Sequence, residues 1–184
     1  MERNGCCFSG HRSISPEISD SLSQRLEVCV DWLHISEGVT DFYAGGCTGF
    51  DTIAAQTVLK YRETHPAARL IVVIPYRNQA KARIEKERME YDRIKACANE
   101  VVCLSERYFR GCMHQRNRYM VDHSRVCVCY LTRENGGTAS TVKYAQRKGL
   151  PVFNLVSENF NFHLPFSEKM CYNTFHVNDT GLLP

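Results

Sequence analysis

Three segments of this 184-residue chain set glycine beside residues able to hold anions or move protons. They are Ser9-Gly10-His11-Arg12, Gly45-Gly46-Cys47-Thr48-Gly49-Phe50-Asp51 and Gly136-Gly137-Thr138. Each follows a strand-like run and precedes a helical pattern, so each reads as the loop of a strand–loop–helix unit. The first N–H groups of such a helix have no intrahelical partner and point at whatever sits above the sheet. Glycine lets the backbone come close to that ligand. Arg12 can pair with a phosphate through two parallel hydrogen bonds, and His11 can donate or carry out acid/base work. Thr48 offers a hydroxyl. Asp51 falls in a first helical turn, where it either complements the helix dipole or grips ribose hydroxyls or an amino group. The middle loop lacks the Lys-Ser/Thr pair of a Walker loop and the spacing of the dinucleotide fingerprint.

A fourth group lies on the helix predicted over Cys112 to His123. Its inward stripe reads Met113, Asn117, Met120 and Val121, which makes Asn117 the polar member of an apolar set. A buried amide needs partners, so Asn117 either caps a loop or holds a ligand, with Arg116 beside it. Asp122 near the helix end opposes the dipole, which calls for a partner such as His11, Arg12 or a loop N–H. Cys112, His114 and His123 are the cluster that comes nearest to a metal site, but zinc-like spacing is absent and no metal is expected.

The elements that must position these residues alternate regularly. Strands are predicted at Gly5–Ser9, Val39–Ala44, Leu70–Ile74, Glu100–Leu104, Val126–Leu131 and Pro151–Leu155. Between them lie helices starting at Pro16, at Gly49 and near Gln79, then Cys112–His123 and Gly137–Lys148. The helix from Pro16 carries the stripe Leu22, Leu26, Val30, Leu33; the one near Gln79 is expected to bury Ile84, Tyr91 and Ile94. Leu70-Ile71-Val72-Val73-Ile74 is apolar throughout, as a strand covered on both faces must be. The fold class is therefore α/β, a doubly wound, mainly parallel sheet with helices on both faces. Ligands of such sheets bind outside the carboxyl ends of the strands, where the strand order reverses. Residues 1–156 form this domain, and residues 157–184, rich in aromatics such as Phe160 and Phe175, form an extension packed upon it.

Composition narrows the function classes. The net charge is +3, with 23% charged residues and 43% hydrophobic ones, ordinary for a soluble domain. Both signs alternate from Lys81 to Arg93, so that stretch reads as a solvated face and direct polynucleotide binding is disfavoured. The ten cysteines include Cys6, Cys7, Cys29, Cys103, Cys127 and Cys129 at positions for small apolar residues. With no leader-like start, this implies free thiols and a cytoplasmic setting. No apolar stretch is long enough to span a membrane. Homo-oligomerisation is left open.

Taken in order, the motifs from Phe8 to Arg12, from Gly45 to Asp51, from Cys112 through Arg116-Asn117 to Asp122, and Gly136-Gly137-Thr138 with Thr141, Tyr144 and Ala145 resemble the YpsA-like family of the SLOG superfamily. The resemblance implies a Rossmann-like domain related to the LOG phosphoribohydrolases and to DprA, in a superfamily tied to nucleotide derivatives and to bacterial and phage conflict. It names no substrate. The LOG pattern GGxGTxxE is altered here: Ala139 replaces the third glycine, Ser140 the threonine and Lys143 the glutamate. A cation where a carboxylate steadies developing positive charge argues against LOG-type hydrolysis. The leading expectation is a binding or sensing domain for a nucleotide or nucleotide-derived ligand, with no certain cofactor. Its phosphates would rest on the Gly45–Gly49 and Gly136–Thr138 loops. The alternatives are an N-glycosidase using Asp51, Asp122 or His11, and a single-stranded DNA interaction module.

Overall fold

The computed structural model describes residues 4–156. The predicted aromatic extension at 157–184 lies outside the described residues. Six strands and five helices alternate along the chain: β1 (Gly5–Gly10), α1 (Pro16–Ile35), β2 (Asp41–Ala44), α2 (Phe50–Arg62), β3 (Arg69–Ile74), α3 (Glu85–Cys97), β4 (Glu100–Cys103), α4 (Cys112–Asp122), β5 (Val126–Tyr130), α5 (Gly136–Arg147) and β6 (Val152–Asn154). All strand pairs are parallel, in the order β4-β3-β2-β1-β5-β6. The chain builds outward from β1 to β4, then returns to the other side of β1. The strand order therefore reverses between β1 and β5, where Gly10 stands opposite Tyr130. This is the doubly wound, Rossmann-like architecture that the alternation predicts.

Strand alternation sorts the side chains into two layers. Cys6, Phe8, Phe42, Leu70, Val72, Val128 and Phe153 pack against α1, α2 and α3. Cys7, Tyr43, Ile71, Val73 and Cys127 face α4 and α5 through Met120, Val121 and Ala145. Pro16 opens α1, as its preset φ allows, and Leu22, Leu26, Cys29, Val30 and Leu33 form its fully buried stripe. All nine cysteines of the described residues are free thiols.

Two sequence expectations fail for local reasons. The third helix starts at Glu85, not near Gln79. Residues 75–84 instead close successive tight turns, Gln79 N–H to Tyr76 O, Lys81 N–H to Asn78 O and Arg83 N–H to Ala80 O. Ile84 thus becomes the residue before the helix and is 66% exposed, not buried. Cys103 is exposed because β4 is an edge strand with only β3 beside it.

Candidate functional site

At the reversal point the carboxyl ends of β1 and β5, the start of α5 and the first half of α4 enclose a crevice of about 670 Å³. Its walls include Ser9, Gly10, His11, Arg12 and Ser13 from the β1 loop, and Cys47 and Asp51 from the β2–α2 connection. Met113, His114, Arg116, Asn117 and Met120 come from α4; Arg133, Asn135, Gly136, Gly137 and Thr138 come from the β5–α5 connection. The first and third predicted loops therefore meet as expected.

The middle loop plays another part. Gly45, Gly46, Thr48 and Gly49 do not line the crevice. A Cβ at Gly45 would overlap the Arg116 guanidinium, and one at Gly49 the backbone of His11 and Arg12, with Gly49 at φ +71°. The carbonyls of Gly45 and Gly46 accept hydrogen bonds from the buried Gln79 side chain, and that of Gly46 also from Arg83. These glycines admit neighbouring groups rather than a phosphate. Gly10 belongs with them, since its Cβ would overlap the Phe50 ring. Gly136 and Gly137 differ: a Cβ there meets no atom within 4 Å.

Asp51 and Arg116, predicted as ligand contacts, are 6% and 5% exposed and paired with each other. Arg116 Nη1 donates to Asp51 Oδ2 at 3.3 Å, Nη2 reaches Cys47 Sγ at 3.4 Å, and Cys47 N–H donates to the same carboxylate at 3.2 Å. Burial pushes the Asp51 carboxyl above its ordinary range, and the Arg116 charge pulls it back down. Arg116 Nε is buried without an acceptor among the described residues. The sequence stripe placed Met113, Asn117, Met120 and Val121 inward; Met120 and Val121 are buried as expected, but Cys112 and Arg116 are the other buried positions, with Asn117 beside them. Asn117 is half-buried and donates through Nδ2 to Thr141 Oγ1 at 2.6 Å, while Thr141 donates to Gly137 O. That chain fixes the start of α5 against α4.

Asp122 lies away from the crevice. Its carboxylate accepts from the Tyr144 hydroxyl at 3.0 Å and pairs with Lys148 at 3.0 Å, not with His11, Arg12 or a loop N–H. A last-turn carboxylate is thus offset by a cation one helix over. His11 is tied down as well: its Nε2 accepts the Thr132 N–H at 3.1 Å, a bond joining the ends of β1 and β5. Partial burial and the nearby Arg133 hold its pKa below the ordinary histidine range, and accepting the Thr132 N–H requires an Nε2 without a proton.

Arg133, Ser13 and Asn135 line the crevice although the motifs did not single them out, and His114, weighed only as a metal ligand, lines it too. Arg133 had a readable signal, since a cation follows the end of β5 as Arg12 follows the end of β1. Asn135 precedes α5 without capping it by a side-chain hydrogen bond, and Gly136 and Gly137, the first residues of α5, line the crevice. A helix start of this kind is equivalent to about half a positive charge. With Arg12 and Arg133 exposed beside it, the crevice mouth carries an excess of positive charge. Among the described residues no group of three or more His, Cys, Asp or Glu is arranged to hold a metal, and no helix is long and apolar enough to cross a membrane.

The family model YpsA, described as the YspA SLOG family, matches residues 6–154. The SPbeta prophage-derived protein YoqJ of Bacillus subtilis is 27% identical over 157 residues, covering 78% of this chain and 91% of that protein. Among solved structures, DNA processing protein A (DprA) of Streptococcus pneumoniae is similar at a TM-score of 0.60 and 17% identity, over 91% of this chain. DprA of Helicobacter pylori, described with a single-stranded DNA binding mode, has a TM-score of 0.57 and 18% identity over 84% of this chain. This chain spans 54% and 66% of those two proteins. At such identities the likeness is one of fold. It nevertheless overturns the expectation that polynucleotide binding is disfavoured, because a protein of this fold binds single-stranded DNA. The expectation rested on the lack of a basic stripe along the sequence. A fold can gather its cations from separate elements, as Arg12 and Arg133 from two loops and Arg116 from α4 are gathered here.

Proposed function

The chain belongs to the YspA SLOG family, and we propose that it binds a nucleotide-derived small molecule in the crevice between β1 and β5. The observation that carries this reading is a charge imbalance. Three guanidinium groups, Arg12, Arg116 and Arg133, line the crevice against one carboxylate, Asp51, which Arg116 already neutralises. Arg12 and Arg133 form no ion pair among the described residues. An anion seated between them would also receive the N–H groups at the start of α5. Met113 and Met120 supply an apolar wall for a base, and Ser9, Ser13, Asn117 and Thr138 supply hydroxyl and amide groups for a ribose.

Binding is favoured over N-glycosidic hydrolysis. Such hydrolysis needs a carboxylate free to face developing positive charge. Asp122 points elsewhere, Asp51 is held by Arg116, and the glutamate position of the LOG pattern carries Lys143. A thermal-unfolding panel of AMP, ADP-ribose, cyclic ADP-ribose and NAD tests the reading, with inorganic phosphate as control. A ligand near a hundred times its Kd adds about 2.7 kcal/mol, which raises Tm by about 5–11 °C for a chain of this size. A panel in which no nucleotide exceeds inorganic phosphate rejects it.

A further inference from the structure

The loops that leave β3 and β4 meet over a second, separate concavity. It has a volume of about 580 Å³ and is lined by Tyr76, Asn78, Gln79, Lys81, Arg107 and Tyr108, among others. It shares no lining residue with the crevice at β1 and β5. The loop between β2 and α2 stands between the two, with Cys47 on the crevice side and the Gly46 carbonyl held by Gln79 on the other.

The groove is held together from below. Gln79 is anchored on the Gly45 and Gly46 carbonyls, and Arg77 N–H donates to Ser105 O across the two loops. On the outside aromatic and basic side chains stand side by side. Tyr76 and Tyr108 meet edge to face at 5.5 Å, and Tyr108 remains 66% exposed. The neighbouring Phe109 is 43% exposed. Tyr76 is half-buried, whereas Tyr108 and Phe109 are left open by the described residues. The groove's carboxylate, Glu106, is paired with Arg77 at 2.6 Å, whereas Lys81 and Arg107 form no ion pair among the described residues. Open aromatic faces between uncompensated cations match the alternation of base and phosphate along a single strand.

We propose that this groove binds single-stranded nucleic acid, with bases stacked on Tyr108 and Tyr76 and phosphates against Lys81 and Arg107. The proposal goes beyond the crevice ligand and does not depend on it. A duplex keeps its bases stacked within itself and offers no face to these rings. The aromatic and basic residues come from segments some thirty positions apart, Tyr76 to Lys81 and Arg107 to Tyr108, so no contiguous stripe betrays them.

Fluorescence anisotropy of a labelled oligothymidylate with the full chain tests this, using an unlabelled duplex as competitor. Saturable binding is expected, with the duplex a poor competitor. Tyr108→Ala weakens it about five- to a hundredfold, the loss of one base–aromatic stack. Lys81→Glu combined with Arg107→Glu weakens it further and flattens its salt dependence. All three positions are exposed, so circular dichroism of the variants stays that of the parent. Arg12→Ala with Arg133→Ala leaves oligothymidylate binding intact, which separates failure of the groove from failure of the crevice. The proposal is overturned by absence of oligothymidylate binding, by equal competition from the duplex, or by binding that survives both Tyr108→Ala and the charge reversal.

Discussion

Asp51→Asn is expected to destabilise the fold by about 3–5 kcal/mol, because it leaves Arg116 buried and charged with no carboxylate beside it. The geometry makes relief difficult. Arg116 is 5% exposed, packed where a Cβ at Gly45 would stand, and its Nε already has no acceptor among the described residues. In urea the midpoint should fall with the slope unchanged, and the loss corresponds to a Tm lower by about 6–20 °C. Asp51→Leu combined with Arg116→Met should recover much of the difference, since apolar groups of similar volume replace a buried pair at little cost. A loss below about 1 kcal/mol in Asp51→Asn would show that the pair is not the buried fastening described. Asp51 is therefore a poor position for testing catalysis: its substitution removes structure first.

The second large effect concerns binding and leaves the fold alone. Arg12→Ala and Arg133→Ala should each weaken an anionic crevice ligand by about ten- to a hundredfold, the loss of one charge-assisted hydrogen bond of about 1.5–3 kcal/mol. Both side chains are exposed, so stability should change by about 1 kcal/mol or less. Gly137→Val acts by a different route. A Cβ at this position meets no protein atom within 4 Å, and Gly137 lines the crevice, so the larger side chain is expected to take up ligand space. Binding should fall as far as in the arginine variants while the protein stays folded. Lys143→Ala is the control, an exposed position on α5 outside the crevice. If Lys143→Ala loses the ligand and Arg12→Ala keeps it, the anion sits on the other side of α5. Calorimetric titration with the best ligand of the nucleotide panel measures all four.

The alternation of elements was legible because the strands of a doubly wound sheet are covered on both faces. Leu70 to Ile74 and Val126 to Tyr130 read as unbroken apolar runs, and Pro16 marked a helix start. The alternation implied a reversal at the carboxyl edge but not the strand order; β1 lying beside β5 is what brings the Gly10 and Gly136 loops together. Charge pairing was not legible. Asp51 and Arg116 are separated by 65 positions, and periodicity along one helix says nothing about a partner on another. The spacing of Met113, Asn117, Met120 and Val121 makes Asn117 the inward polar residue, yet Arg116 is the one buried, because Asp51 on α2 gives its charge a partner that helical spacing cannot show. The Gly45–Gly49 loop misled for a related reason. Glycine signals close approach, and only the fold shows whether a ligand, a guanidinium or another loop is what approaches.

The crevice is tested most directly by the backbone amide spectrum of the isotope-labelled chain during titration with ADP-ribose and AMP. Saturable shifts should appear at Gly136, Gly137 and Thr138 and along His11 to Ser13, with α1 and the β3 and β4 ends unmoved. Shifts confined to residues outside the β1 and β5 loops, or none at any concentration, would contradict a nucleotide site at the reversal of the sheet.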